Sequence, residues 1–329
     1  MFRCVNIYLL FGGALLAVNF APSAGYAWCQ MTTEAAQSSN GLPIACATEG
    51  VPLQWTQRCT QVAVSMGDEL PRDLMSLSET DVHRIVSEAF AVWAASSVNQ
   101  GIEVEILQAT SECQQAEYNQ DSGNMNTIVL AGDWNERGYF IDGQFLPYDP
   151  AAFAVTTAWH NGTTGEILDV DIEVNEQRGP YVECARSCAQ GGCVGETDAQ
   201  DRQVVDLLNV LTHEVGHYYG LDHTVVDPTD SDDERLATMW AKAPAGEVCK
   251  RVLKEDDVEG LRNIYPEEDL QANCEFTPRG GASLICSGAQ DGCACDASGS
   301  GASNGFMGWL VMAGWLLWAR RKVCLNVPR

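Results

Sequence analysis

Three of the five histidines in the chain share one eleven-residue frame, H-E-V-G-H-Y-Y-G-L-D-H, which begins at His213. Residues four apart lie on one face of a helix, so His213 and His217 can present two imidazoles to one ion, with Glu214 beside them. Gly220 can adopt the left-handed conformation that ends a helix, and this turn brings His223 back as a third nitrogen. Three nitrogens leave one tetrahedral position open for water, as in a catalytic zinc site. A zinc ion that serves only structure is the weaker alternative, because a closed site has no use for Glu214.

This frame resembles the zinc signature of the metzincin metalloproteases. Metzincins also carry a methionine in a tight turn below the metal, and Met239 lies at a suitable distance downstream. Within the metzincins the chain is most similar to the matrixins: Thr224 follows the third histidine where matrixins typically have serine, and segments 88–93 and 254–265 resemble the first and last matrixin helices. The resemblance covers roughly residues 50–268.

The resemblance implies a zinc endopeptidase that acts on proteins or peptides. His213, His217 and His223 would hold one catalytic zinc ion, and Glu214 would activate the water that the zinc binds. The implied fold is α+β: a twisted mixed sheet with an active-site helix and two further helices, and a zinc cleft between the upper and lower parts of the domain.

The resemblance also implies that the substrate lies extended along an edge strand, which we assign to residues 154–158. The residues expected to contact the substrate backbone are Ala154, Val155, Thr156 and Thr157. A pocket beside His213 and Met239 would select side chains, with Trp240 as one wall; a simple core role for Trp240 is an equal alternative.

Two other classes of function stay open. A catalytically inactive surface binding module built on a protease fold predicts that Glu214→Ala leaves the function unchanged. A zinc hydrolase for non-peptide substrates is less favoured, because the chain carries no separate carbohydrate or nucleotide signature.

The chain departs from the matrixin pattern in several ways. No segment matches the matrixin cysteine switch, so latency through a thiolate on zinc is not supported. Only His83 and His160 remain for the second, structural zinc of animal matrixins, so the sequence predicts a single zinc. A cysteine-rich insertion at residues 181–197 can serve as a loop staple in its place.

Calcium is a second candidate cofactor. The candidate ligands are Asp169, Asp171, Glu173 and the acidic loop at residues 227–234. A solvated acidic face is the favoured interpretation of these carboxylates.

Hydrophobic periodicity predicts the elements that position these residues. The predicted helices cover residues 78–93, 197–220 and 255–265, and Thr197 with Gln200 has the spacing of a capping box for the second. The predicted strands cover residues 61–65, 102–107, 127–131, 153–159 and 167–174, the last two flanking a turn. Strands mixed with segregated helices favour an α+β fold.

Composition limits the partners and the compartment. The 329 residues include 45 acidic and 19 basic side chains, and a net charge of -26 excludes nucleic acid as a partner. Residues 1–27 have the pattern of a signal peptide, which predicts export and an oxidising compartment. Ten of the 14 cysteines are then expected to form disulfides, with their connectivity open: Cys29, Cys46, Cys59, Cys113, Cys184, Cys188, Cys193, Cys249, Cys274 and Cys286.

The rest of the chain is divided by composition. Residues 28–48 are a short lead-in, 49–268 the catalytic domain, 269–300 a Cys/Gly/Ser-rich linker, and 301–329 a hydrophobic anchor with a basic tail. A buried core helix is the alternative for the uncharged run. The tail resembles a myxobacterial sorting signal in which Cys293 and Cys295 are the handling residues. This resemblance implies display at the cell surface, with membrane anchoring that is at least transient.

Overall fold

The computed structural model describes residues 2–6, 28–34, 37–39, 42–66, 76–96, 102–110, 116–119, 123–141, 144–225 and 237–266, and the single residues 274, 276, 278 and 283. Most of the predicted signal peptide and linker, the acidic loop at 227–234, Cys293, Cys295 and the hydrophobic tail lie outside this part of the chain. Within it, no helix is both long and apolar enough to cross a bilayer.

The described residues form three α-helices and fourteen strands. The helices are α1 (Glu79–Ser96), α2 (Leu207–Tyr218) and α3 (Glu255–Ile264). The strands are β1 (Phe2–Asn6), β2 (Cys29–Gln30), β3 (Gln37–Ser39), β4 (Leu42–Ala45), β5 (Cys59–Ser65), β6 (Glu103–Thr110), β7 (Asn126–Ala131), β8 (Gly138–Ile141), β9 (Gln144–Pro147), β10 (Ala154–Asn161), β11 (Ile167–Asn175), β12 (Tyr181–Val182), β13 (Val205–Asp206) and β14 (Leu221–Asp222).

A mixed six-stranded sheet forms the upper part of the fold, in the order β1-β10-β11-β7-β5-β6. Strands β11, β7, β5 and β6 run parallel, and β10 is antiparallel to β11, with Ala154 opposite Val174. The predicted strand pair around residues 160–165 and the α+β class are therefore confirmed. In this order β10 is second from one edge of the sheet, and β1 is the edge strand beside it.

Helix α1 covers the sheet through the apolar stripe that its sequence predicts. The stripe is fully or almost fully buried and consists of Val82, Ile85, Val86, Ala89, Phe90 and Trp93. Burial of each large member stabilises the fold by about 1.5–3 kcal/mol. Trp93 also donates its indole N–H to the carbonyl oxygen of Thr212 at 2.8 Å, which ties α1 to α2.

The predicted start of the second helix is wrong. Helix α2 begins at Leu207, ten residues after Thr197, the first residue of the proposed capping box. The segment after Thr197 is folded into a turn by the carboxylate of Asp198, which accepts backbone N–H groups two and four residues ahead. The N-cap is Asp206, whose Oδ1 accepts the N–H of Asn209 at 2.8 Å. A carboxylate at the N-cap satisfies a free backbone donor, and this stabilises the helix at the later position.

Four disulfides pair eight of the ten cysteines expected to be bridged, while Cys113 and Cys286 lie outside the described residues. The pairs are Cys29–Cys46, Cys59–Cys274, Cys184–Cys193 and Cys188–Cys249. The last two hold the cysteine-rich insertion: one closes it on itself, and the other ties it to the segment after Met239. The insertion is thus a bridged loop, as its composition predicts.

Candidate metal centre

Helix α2 and the turn after it bring the three histidines together. His213 and His217 lie one turn apart in α2, and Gly220 follows with a φ of +90°. A Cβ at Gly220 would lie 2.7 Å from the carbonyl oxygen of Leu53, so both the backbone conformation and the space require glycine. The chain then returns along β14 and places His223 opposite the other two rings.

The three imidazoles converge through their Nε2 atoms. The Nε2 of His223 lies 3.2 Å from that of His213 and 3.2 Å from that of His217. Ligands about 2.0–2.1 Å from a tetrahedral zinc ion are about 3.3 Å apart, so the spacing matches one ion in the middle. The three residues could therefore hold a metal ion.

The outer nitrogens fix the tautomers of two of the three histidines. The Nδ1 of His213 lies 2.5 Å from the carbonyl oxygen of Thr238, and the Nδ1 of His217 lies 2.8 Å from that of Leu221. Because a carbonyl only accepts, each Nδ1 carries the proton and each Nε2 presents a lone pair. The Nε2 lone pairs of His213 and His217 each lie 3.2 Å from Nε2 of His223. Lone pairs this close repel one another unless a cation lies between them, so the three nitrogens fit a divalent ion.

Burial favours the neutral form of all three rings. It lowers the pKa of His217 to about 4, and together with the neighbouring cationic groups it holds the pKa of His213 and His223 well below the ordinary value. A neutral imidazole is the form that binds a metal.

Glu214 lies in the same cavity as the three rings and is 6% exposed. Its Oε2 accepts a hydrogen bond from the hydroxyl of Thr156 on β10 at 2.6 Å. Burial raises the pKa of Glu214 to about 7, against the lowering effects of the Thr156 hydrogen bond and the charge of Lys250. A carboxyl group with such a pKa can both take up and release a proton near neutral pH.

Met239 lies in a tight turn below α2. A Cβ at Gly216 would lie 2.1 Å from the Met239 sulfur and 2.7 Å from Cζ2 of Trp93, so the methionine packs directly against the glycine of the helix. The carboxylate of Asp257 accepts the backbone N–H of Met239 and of Thr238, both at 2.9 Å. The turn is thus held between α2 and α3.

An open cavity of about 410 Å³ lies over the histidines. Its wall includes Trp240 and the first three residues of β10, which are Ala154, Val155 and Thr156. On their outer side these three residues have no strand partner among the described residues, whereas residues 157–161 pair with β1. Of the strand assigned to the substrate, only the part nearest Glu214 is therefore an open edge here.

The interpretation of the acidic residues on β11 as a solvated face is wrong. Asp169, Asp171 and Glu173 are at most 2% exposed, because β11 lies between β10 and β7 and is buried along its whole length. Glu173 pairs with Arg137 and accepts the hydroxyl of Tyr148 at 2.7 Å. In the described part of the chain, these carboxylates do not form a group of three potential metal ligands.

Several residues around the centre were not found from the sequence. Thr156 was chosen for its backbone, and the role of its hydroxyl beside Glu214 was missed. Asp257 and Lys250 were not singled out at all, although both contact the Met239 turn. The acidic pair beginning at Asp256 was a weak signal, and nothing in the sequence near Lys250 indicates that it is buried.

Comparison with known families agrees with this geometry. The family model of the matrixins, peptidase family M10, matches residues 55–266, which is more than half of the chain. The chain therefore belongs to the matrixin family. Membership indicates a metallopeptidase with protein substrates and zinc as its metal. No curated protein is significantly similar to the chain.

Proposed function

We propose that this chain is an exported zinc endopeptidase, with zinc held by His213, His217 and His223 and with Glu214 as the general base. The observation that carries the proposal is the convergence of three imidazoles, with Nε2 of His223 at 3.2 Å from Nε2 of both His213 and His217, in an open cavity that also contains Glu214. Zinc at this position would supply a water of lowered pKa and a positive charge for the oxygen of the scissile carbonyl.

The chain's own residues would move the proton. Glu214 would accept a proton from the attacking water and deliver it to the nitrogen of the leaving amine. The hydroxyl of Thr156 is bonded to Oε2 at 2.6 Å, so Oε1 is the oxygen that would carry the proton. The same hydrogen bond orients the carboxylate, because Thr156 belongs to the sheet and not to α2.

The substrate backbone would pair with β10 at Ala154, Val155, Thr156 and Thr157, because removal of the proposed signal peptide would take β1 away from this edge. Main-chain pairing accepts any sequence, which suits an enzyme that acts on proteins. Selectivity would come from the cavity beside Trp240, which would hold a side chain of the substrate.

Export is part of the same proposal. Four disulfides are typical of an oxidising compartment. The signal peptide at 1–27, the lead-in at 28–48, the catalytic boundaries at 49–268 and the cleavable or retained tail at 269–329 remain predictions of the sequence.

The experiment compares cleavage of a fluorogenic peptide library by the full exported chain and by Glu214→Gln. We expect one zinc per chain in both proteins, loss of cleavage with a chelator, and recovery when zinc is restored. The substitution should lower the cleavage rate by at least about 100-fold, since it removes the base but no ligand.

The matched control is Glu255→Gln, the same chemical change at an exposed residue on α3, which should cleave like the parent. A parent chain that binds zinc but cleaves no peptide would contradict the proposal and favour the binding-module alternative. Equal cleavage by Glu214→Gln would show that another group is the base.

A further inference from the structure

Lys250 is a buried lysine beside the candidate metal centre. It lies in a short 3-10 turn, Cys249–Arg251, and is 4% exposed. Lysine is rarely buried to this degree without a partner, because removal of the ammonium group from water is costly. A buried lysine therefore needs a set of acceptors that replaces water.

The acceptors are three carbonyl oxygens of one turn. The Nζ of Lys250 donates to the carbonyl oxygens of Ala237 at 3.1 Å, Thr238 at 3.1 Å and Trp240 at 2.5 Å. Only the protonated amine has three N–H donors, so the geometry requires the ammonium form. Within the described residues this ammonium forms no ion pair, and the turn around Met239 is its solvation shell.

One of these carbonyls is also the acceptor of a histidine. The carbonyl oxygen of Thr238 accepts from Nδ1 of His213 at 2.5 Å and from the ammonium of Lys250. Two donors, one from α2 and one from the 3-10 turn that contains Lys250, hold this oxygen in one position. Because the other end of the His213 ring is the Nε2 that faces His223, the position of the carbonyl sets the direction of that lone pair.

The backbone of Lys250 is itself fixed to α2. Its N–H donates to Oδ1 of Asn209 at 2.8 Å, and Asn209 lies one helical turn before His213. The preceding residue, Cys249, is bonded to Cys188 of the insertion. Lys250 therefore connects the helix that carries the histidines to the turn that orients one of them.

We propose that Lys250 is a positioning residue: by holding the carbonyls of the turn around Met239, it orients the His213 ring and thereby sets the affinity of the centre for zinc. This inference rests on the proposed zinc site. It concerns a residue that lines the same cavity but whose ammonium is bonded to the turn around Met239.

The test is zinc affinity, measured by competition with a chromophoric chelator, for the full chain, Lys250→Met and Lys250→Arg. Lys250→Met keeps the length of the side chain but removes all three donors. We expect zinc to bind about 10–100-fold more weakly, the usual effect of losing a group that orients a ligand. Lys250→Arg keeps a cation and several donors, and its affinity should fall between those of the parent and the methionine variant.

Two further measurements separate positioning from simple support of the fold. The visible spectrum of the cobalt-substituted protein should shift for Lys250→Met, since it reports the directions of the ligands. The matched control is Lys254→Met, four residues along the chain and half-buried, which should bind zinc within about threefold of the parent.

Each outcome is informative. Zinc affinity and a cobalt spectrum like the parent's in Lys250→Met would overturn the inference, even if that variant melted earlier. If Lys250→Met does not fold, Lys250→Arg decides: a loss of affinity of up to about 100-fold with a shifted cobalt spectrum supports the positioning role, and parental affinity with a parental spectrum overturns it. A parent chain that binds no zinc would instead refute the proposed function.

Discussion

Asp257→Asn tests whether one buried carboxylate supports the turn below the metal centre. Asp257 lies in α3 and is fully buried. Its Oδ2 accepts the backbone N–H of Thr238 at 2.9 Å and of Lys254 at 2.8 Å, and its Oδ1 accepts the N–H of Met239 at 2.9 Å. Three backbone donors thus depend on two oxygens.

The magnitude follows from the number of acceptors that asparagine keeps. With its oxygen at the Oδ2 position, the amide still serves Thr238 and Lys254, but its NH₂ group faces the N–H of Met239. One buried donor without an acceptor costs about 1–3 kcal/mol, and the two remaining bonds each lose about 1 kcal/mol with the charge. The lower burial cost of a neutral amide offsets part of this loss. We expect the free energy of unfolding to fall by about 2–3 kcal/mol, or the melting temperature by about 5–10 °C.

The assay is urea and thermal unfolding of the full chain after chelation, so that metal binding does not enter the measurement. The control is Glu255→Gln, the same change at an exposed carboxylate in the first turn of the same helix, which should cost less than about 0.5 kcal/mol. A loss for Asp257→Asn no larger than that of the control would refute the reasoning, because the turn would then hold without its acceptor.

Two other substitutions test packing and buried charge. Gly216→Ala should lower the free energy of unfolding, measured in urea, by about 1 kcal/mol. Overpacking against the Met239 sulfur and the Trp93 ring costs about 1–3 kcal/mol, which exceeds the gain in helix propensity of about 1 kcal/mol. Increased stability would mean that Met239 moves aside freely. Burial and the nearby Glu117 raise the pKa of Asp169 well above its usual value, so the native state holds this proton longer than the unfolded state, and stability falls as the pH rises above about 4. Asp169→Asn should remove this pH-dependent loss of stability. In urea titrations without calcium, the stability of the variant relative to the parent should therefore rise by up to about 1.4 kcal/mol per pH unit through this range. A variant less stable than the parent at neutral pH would instead indicate that the carboxylate has an unseen partner.

The elements with a strong local pattern were predictable. All six buried residues of α1 follow from their spacing, and α3 is within one residue of its predicted range. The start of α2 was not predictable, because two polar segments, at Thr197 and at Asp206, each contain a side chain that can cap a helix. The apolar residues between them, Val204 and Val205, belong to a loop and to β13, so helical periodicity was present where the chain is not helical.

The burial of β11 was also decided by the tertiary structure. Acidic residues that alternate along a strand have the pattern of a solvated face, and Asp169, Asp171 and Glu173 fit it. Their strand lies in the interior of the sheet, where both faces and both edges are covered. Arg137 and Tyr148, which contact Glu173, flank the β8–β9 hairpin before β10, and no local pattern connects them.

By itself, the sequence determined the spacing of the three histidines, the neighbouring glutamate and the glycine that ends their helix, since one helical turn and one tight turn relate all five. Only the tertiary structure decided what orients them. Thr156 lies 58 residues from Glu214 along the chain, and Thr238 lies 25 residues from His213. Contacts between such distant residues leave no period in a sequence, because they depend on how the sheet, the insertion and α3 pack around the helix.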